Sequence, residues 1–350
     1  MAALDRAAVS SVDASGMVED VLGLPGQLED ALWRVESAGL PACDSPGGLV
    51  VAGMGGSAIG GMLARAALGD HASRPILPAG GYGLPPWTTP ETTVLCSSYS
   101  GETEETLACY DSAGALGANR VVVTSGGQLA ELARADGVPV IPVPGGFQPR
   151  AALAYLFVSA LEVAALCGAG PRLAAEIDVA SSHLRELAAE WGPDGEDESL
   201  AKHLARNLHG TLPVVTGAGL TSALAYRWKT QINENAKTPA FWGELPEIDH
   251  NEIAGWGGAP GLAPLSAIFL DDSDIHPRLK ARIALTQRII EPSARFTASV
   301  ASRGETAVER VCSLVLLGDL VSCYMAVLAD IDPTPVDVLA ELKQALAEPQ

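Results

Sequence analysis

Apolar positions along this chain alternate between helical spacing and short continuous runs. Residues 17–40 place Leu22, Leu28, Leu32 and Val35 at helical intervals, with Pro25 near the start, which predicts a helix. The run Gly48-Leu49-Val50-Val51-Ala52-Gly53 reads as a buried strand ending in glycine, and MGGSAIGGMLARAAL after it as a turn and a helix start. Further strands are expected at 75–78, Thr93–Cys96, Arg120–Thr124 and Val138–Val143, with a helix over Glu104–Tyr110. Strands alternating with helices predict an α/β domain built on a mostly parallel sheet.

The pattern then repeats. Residues 151–191 look helical, and GPDGEDES at 192–199 is a polar, acidic break. Leu212–Thr216 reads as a strand, Gly217-Ala218-Gly219 as a turn and Ser222–Ala236 as a helix, echoing the first glycine turn. Two further apolar runs, Ala267–Leu270 and Ser313–Leu317, are expected to complete a second α/β unit. The expected fold is α/β, two doubly wound parallel-sheet domains in tandem that arose by duplication. The expected boundaries are a helical segment at 1–40, a first domain at 41–150, a helical connector at 151–195, a second domain at 196–331 and a C-terminal helix at 332–350.

Composition narrows the function. At 350 residues and 48% hydrophobic content, the chain can bury a large core. Forty-two acidic against 22 basic residues give a net charge of −20. That argues against general nucleic-acid binding and against docking on an anionic membrane, but leaves room for a small anion in a local pocket of donors. No uninterrupted run of 18 apolar residues occurs, and MAALDRAAVSSVDASG lacks a signal pattern, so a cytoplasmic protein is expected. The six cysteines are scattered without a CxxC pair and read as reduced core residues, not as a disulfide framework or a zinc site.

Two turns have the chemistry of an anion site. Glycines between the first strand and its helix bring backbone N–H groups and the helix dipole together. Gly53, Gly55 and Ala58 fit the dinucleotide pattern GxGxxA, but the next strand ends in Ala79-Gly80-Gly81, without the acid that holds a ribose. After the third strand comes SSYSGETEET, with Ser97, Ser98, Ser100 and Thr103 clustered at a helix start. One such hydroxyl serves as an N-cap; four exceed that need and point to a bound phosphate.

Proton-transfer groups gather in QINENAKTPAFWGELPEIDHNEIAGW, residues 231–256. Pro239 and Pro246 exclude one long helix, so Glu234 and His250 sit in or beside an ordered irregular segment. The alternative is a surface loop with ordinary salt bridges. In the preceding helix Leu224, Trp228, Ile232 and Ala236 form an apolar stripe, while Arg227, Gln231 and Glu234 form a separate polar one. Near the C-terminus Lys343 lies within an apolar helix face that includes Leu339, Leu342 and Leu346. It either snorkels or reaches a buried partner.

GMGGSAIGG, SYSGETEET, QPRAAL, RWKTQINENAKTPAF, ELPEIDHNEIAGW and the terminal IDPTPV…LK resemble, in the same order, the bifunctional phosphoglucose/phosphomannose isomerases. These are sugar isomerases with two SIS domains, and the resemblance runs from about Val18 to Leu346. It implies that Glu234 is the base moving a proton between C1 and C2. It implies that His250 opens the sugar ring from the neighbouring subunit of a homodimer, that Arg150 lies beside the enediolate, and that Lys343 assists ring opening from a C-terminal helix closing the site. Gly56, Ser57, Ser98, Ser100 and Thr103 match the phosphate and sugar contacts. Two positions depart from the family, which commonly has Asn at both. Glu102 would repel phosphate unless it points away, and Asp249 beside the histidine could raise its basicity.

The residue chemistry agrees. Aldose–ketose isomerisation needs an acid/base group for ring opening, a base next to a carbonyl, and donors for the enediolate. Histidine, glutamate and arginine or lysine supply these with neither cofactor nor metal, and no HxH or HExxH pattern occurs. Two competitors are a non-catalytic SIS-domain sensor of sugar phosphates and an amino-sugar enzyme of the glucosamine-6-phosphate synthase type. The first normally carries a partner or DNA-binding domain, and the second needs a glutaminase domain.

Overall fold

The computed structural model describes residues 3–347, except for the side chains of Ala340, Lys343 and Ala347. Three N-terminal helices, α1 (Arg6–Val12), α2 (Met17–Leu22) and α3 (Leu24–Ser37), lead into the first sheet. The single helix expected over 17–40 is broken at Gly23, and Pro25 falls in the first turn of α3, where its missing N–H is not needed.

The first sheet contains β1 (Leu49–Ala52), β2 (Ile76–Ala79), β3 (Thr93–Ser97), β4 (Asn119–Thr124) and β5 (Val140–Pro142), all parallel, in the order β2-β1-β3-β4-β5. Helices α4 (Gly56–Leu68), α5 (Glu104–Leu116) and α6 (Gly127–Asp136) connect them. Strands β1 and β3 are buried throughout, which is why they read as continuous apolar runs. Next come α7 (Leu153–Leu166), buried from Leu153 to Ala164, then α8 (Ala174–Trp191) and α9 (Leu200–Leu208).

The second sheet repeats the first. Strands β6 (Leu212–Gly217), β7 (Phe241–Glu244), β8 (Leu265–Asp271) and β9 (Phe296–Ala301) run parallel in the order β7-β6-β8-β9, the counterpart of β2-β1-β3-β4. Helix α10 (Leu220–Asn235) follows β6 as α4 follows β1, and α11 (Pro277–Ile290) joins β8 to β9. Helix α12 (Ala307–Leu328) packs on α10 as α7 packs on α4, and α4 and α10 touch. The duplication is therefore visible in three dimensions.

Of the two apolar runs expected to complete the second unit, one is not a strand. Ser313–Leu317 lies inside α12, whose residues are buried from Val308 to Val327. A helix apolar on every side shows no 3.6-residue periodicity, so a short stretch of it reads like a core strand. By length and composition α12 could cross a membrane, but 94% of its most apolar window is buried inside the protein. All six cysteines are free, and five of them are buried.

Helix α13 (Asp337–Ala347) matches the expected C-terminal helix, but its apolar face is not covered: Leu339, Leu342 and Leu346 are all exposed. The side chain of Lys343 on this helix lies outside the described residues.

Candidate active site

The anion end is built where β1 and β3 finish. Gly55, ahead of α4, adopts φ +53°, and Gly219, ahead of α10, adopts φ +57°, a conformation that glycine accepts without strain. At Gly53 a Cβ would lie 2.7 Å from the Ser97 carbonyl oxygen, so only glycine lets the first turn close against the end of β3. Buried Ser57 accepts a hydrogen bond from Tyr99 N at 3.3 Å. Ser98 Oγ lies 2.8 Å from Thr103 Oγ1 and accepts from Gly101 N, while Ser100 Oγ accepts from Glu102 N. The hydroxyls thus hold together the turn that leads into α5, at whose start backbone amides favour an anion.

Glu102 points away from this turn. Its Oε1 accepts from Gln128 N at 2.9 Å, in the first turn of α6. The carboxylate therefore caps a neighbouring helix, where the dipole favours a negative charge.

The candidate proton-transfer residues lie where the two halves meet. Arg150, just before α7, is only 4% exposed. Its Nε donates to Asn235 Oδ1 at 2.7 Å, and its Nη2 donates to the Pro333 and Thr334 carbonyls at 2.8 Å each. The Nη1 lies 3.6 Å from Glu234 Oε2. Burial lowers the pKa of this guanidinium, and Glu234 works against that. A Cβ at Gly56 would come within 3.2 Å of Arg150 Cα. The start of α4 therefore abuts the backbone that carries the arginine, which ties the anion turn to the Arg150–Glu234 pair.

Behind this pair is a buried network. Arg227 donates to Asp319 through Nε at 3.1 Å and Nη2 at 2.5 Å, and Nη2 also reaches the Arg150 carbonyl at 3.1 Å. Asn235 Nδ2 donates to Ser322 Oγ at 2.9 Å. Burial pushes the Asp319 carboxyl up, and Arg227 opposes that. Arg227 and Gln231 are buried, so the separate polar stripe on α10 is turned into the protein. It faces α12 and Arg150.

Lys237 was visible in the sequence without a role. Helix α10 is C-capped by Ala236, and Lys237 follows it with φ +50°. Glycine usually fills that left-handed position, and a side chain there costs roughly 1 kcal/mol. The lysine Nζ donates to the Glu234 and Pro333 carbonyls at 2.8 Å, Asp332 O at 3.2 Å and Asn235 O at 3.4 Å. Burial, and then Arg150, lower its pKa.

His250 stands apart. It ends a 3₁₀ turn, Glu247–His250, is exposed, and its imidazole makes no hydrogen bond or ion pair among the described residues. Asp249 bonds not to the imidazole but to Arg282 Nη1 and Thr286 Oγ1 on α11, both at 2.7 Å. The Asp249 carboxylate thereby ties this turn to α11. Among the described residues no three His, Cys, Asp or Glu side chains are grouped to hold a metal ion.

A bifunctional phosphoglucose/phosphomannose isomerase of Caldicellulosiruptor bescii is 38% identical over 337 residues, which cover 95% of this chain and 99% of that one. This chain belongs to that family. The bifunctional phosphoglucose/phosphomannose isomerase of Aquifex aeolicus is 35% identical, with 85% and 90% of the two chains covered. Residues 197–346 match the bacterial phospho-glucose isomerase C-terminal SIS domain. The fold is also that of a hypothetical protein of Thermus thermophilus, with a TM-score of 0.73 at 18% identity over 98% of this chain and 94% of that one. The expected architecture of this isomerase family member, two SIS-type parallel-sheet domains, is thereby established.

Proposed function

We propose that the chain interconverts fructose 6-phosphate with glucose 6-phosphate, mannose 6-phosphate or both, through ring opening and a cis-enediolate. One observation carries this reading: a partly exposed carboxylate, Glu234, faces a buried arginine whose backbone abuts the start of α4 at Gly56, next to Ser57, which bonds to the serine-rich turn through Tyr99 N. Ser98, Ser100, Thr103, Ser57 and the amide of Gly56 hold the phosphate. Glu234 takes the C2 proton of the open-chain aldose and delivers it to C1. The enediolate that forms between these steps carries negative charge, which Arg150 Nη1 stabilises at short range. The Asp319–Arg227 network holds that arginine without touching substrate.

Ring opening falls to His250 and Lys343 in this reading. The exposure of His250 in the protomer supports its contribution to the site of a second copy, in a homodimer with composite sites. Phe241 and Trp242 on edge strand β7 are also exposed, and a two-fold mate is the natural cover for them.

The test is a direct assay of the purified chain with fructose 6-phosphate, detecting glucose 6-phosphate and mannose 6-phosphate separately. Formation of either supports isomerisation. Tight binding of sugar phosphates without turnover would instead mark a sensor.

A further inference from the structure

We propose that Lys237 is a positioning residue for the Glu234 site, clamping the end of α10 to the crossing segment Asp332–Thr334. This rests on the reading of Glu234 as the base. The ammonium takes two carbonyls from the last turn of α10, those of Glu234 and Asn235, and two from the crossing, those of Asp332 and Pro333. Arg150 grips the same crossing through the Pro333 and Thr334 carbonyls and grips α10 through Asn235. Two cations therefore staple one pair of chain segments, and both staples include the residue that carries the catalytic carboxylate or its neighbour.

The backbone makes the case independent of these contacts. Lys237 occupies the left-handed position after the helix cap, φ +50°, where glycine is the unstrained choice. A residue retained against backbone strain is expected to supply something through its side chain. Helix-end carbonyls alone could be satisfied by water, which reaches this edge because Lys237 is exposed as a residue although its ammonium is partly buried among these carbonyls. What water does not supply is a fixed link to Asp332 and Pro333. That segment leads directly into α13, so the clamp also sets where α13 departs from the site.

The experiment compares wild type with Lys237→Gly and Lys237→Arg. Glycine removes the clamp and relieves the backbone, so a residue acting only as a helix cap would tolerate it. The clamp predicts that Lys237→Gly keeps its melting temperature within about 3 °C, loses at least about tenfold in kcat with fructose 6-phosphate, and changes KM by less than about threefold. Lys237→Arg should restore kcat to within about threefold of wild type. Amide hydrogen exchange over residues 332–339 should quicken in the glycine variant and not in the arginine variant. A glycine variant with wild-type kcat, or an arginine variant no better than glycine, overturns the proposal. If the wild-type chain itself fails to isomerise, the base reading fails separately. The exchange rates then decide the clamp alone: faster in the glycine variant supports it, unchanged refutes it.

Discussion

Arg150 Nη1 lies 3.6 Å from Glu234 Oε2, whereas Arg227 Nη2 lies 2.5 Å from Asp319 Oδ2, one layer deeper. The two arginine–carboxylate pairs share helix α10 but are built differently. In the outer pair the glutamate side chain is 31% exposed and the contact is loose. In the inner pair both side chains are under 10% exposed and the arginine is held through two nitrogens. In the proposed mechanism the inner pair is the frame and the outer pair the working site.

Removing one partner of the inner pair should therefore act on stability first. Asp319→Asn leaves Arg227 without its counter-charge in the core. Urea unfolding should show a loss of about 3–5 kcal/mol. A loss under about 1 kcal/mol would mean that the pair is not the frame described here.

The anion turn predicts a different signature. Ser98→Ala with Thr103→Ala should raise KM for phosphorylated sugars far more than it lowers kcat, since these contacts serve ground and transition states about equally. Each lost hydrogen bond to the phosphate should cost roughly 1.5–3 kcal/mol. Isothermal titration should show that unphosphorylated fructose binds the wild type poorly; equal binding of sugar and sugar phosphate would remove the anion site.

Glu102 should matter for the fold and not for the phosphate. Because its carboxylate caps α6, Glu102→Ala should lower stability by about 1 kcal/mol in denaturant unfolding. If KM for fructose 6-phosphate instead falls by about tenfold or more, the carboxylate is repelling the substrate and the capping account is wrong.

Much of this was readable from the sequence because each half repeats one device, a buried strand, a glycine turn and a helix. Gly53–Gly55 and Gly217–Gly219 announced both copies. What escaped were elements whose signals were weak or shared. Strand β7 is four residues at a sheet edge, flanked by Pro239 and Pro246, and β9, FTASVA, is half polar and only partly buried. Ser313–Leu317 shows no helical period in the sequence, because a helix buried along its length has no solvent-facing side to set one. At the site, Ser98, Thr103 and Glu234 stand out by residue type and local pattern and Arg150 only through the family resemblance, and the fold brings the turn and the pair to one region. The partners of Asp249 and Glu102 were not legible, because Arg282, Thr286 and Gln128 lie far along the chain. Nor was the role of Lys237, whose partners are backbone carbonyls that leave no mark in side-chain pattern.

Shared sites can be tested by complementation. Glu234→Gln and His250→Ala chains should each be inactive alone. Co-refolded in equal amounts, they should regain roughly a quarter of wild-type activity, since half the dimers are mixed and each has one intact site. Mixtures that exchange subunits yet stay inactive would place both residues in one chain's site.

The central claim, that Glu234 moves the proton, is tested most directly by exchange of the C2 hydrogen with solvent. Glucose 6-phosphate deuterated at C2, incubated with Glu234→Gln enzyme and followed by NMR, should lose its label at least about 100-fold more slowly than with wild type. Binding of the sugar phosphate and the melting temperature should stay unchanged. Near-normal loss of deuterium from the glutamine variant would contradict the account, because an amide cannot take that proton.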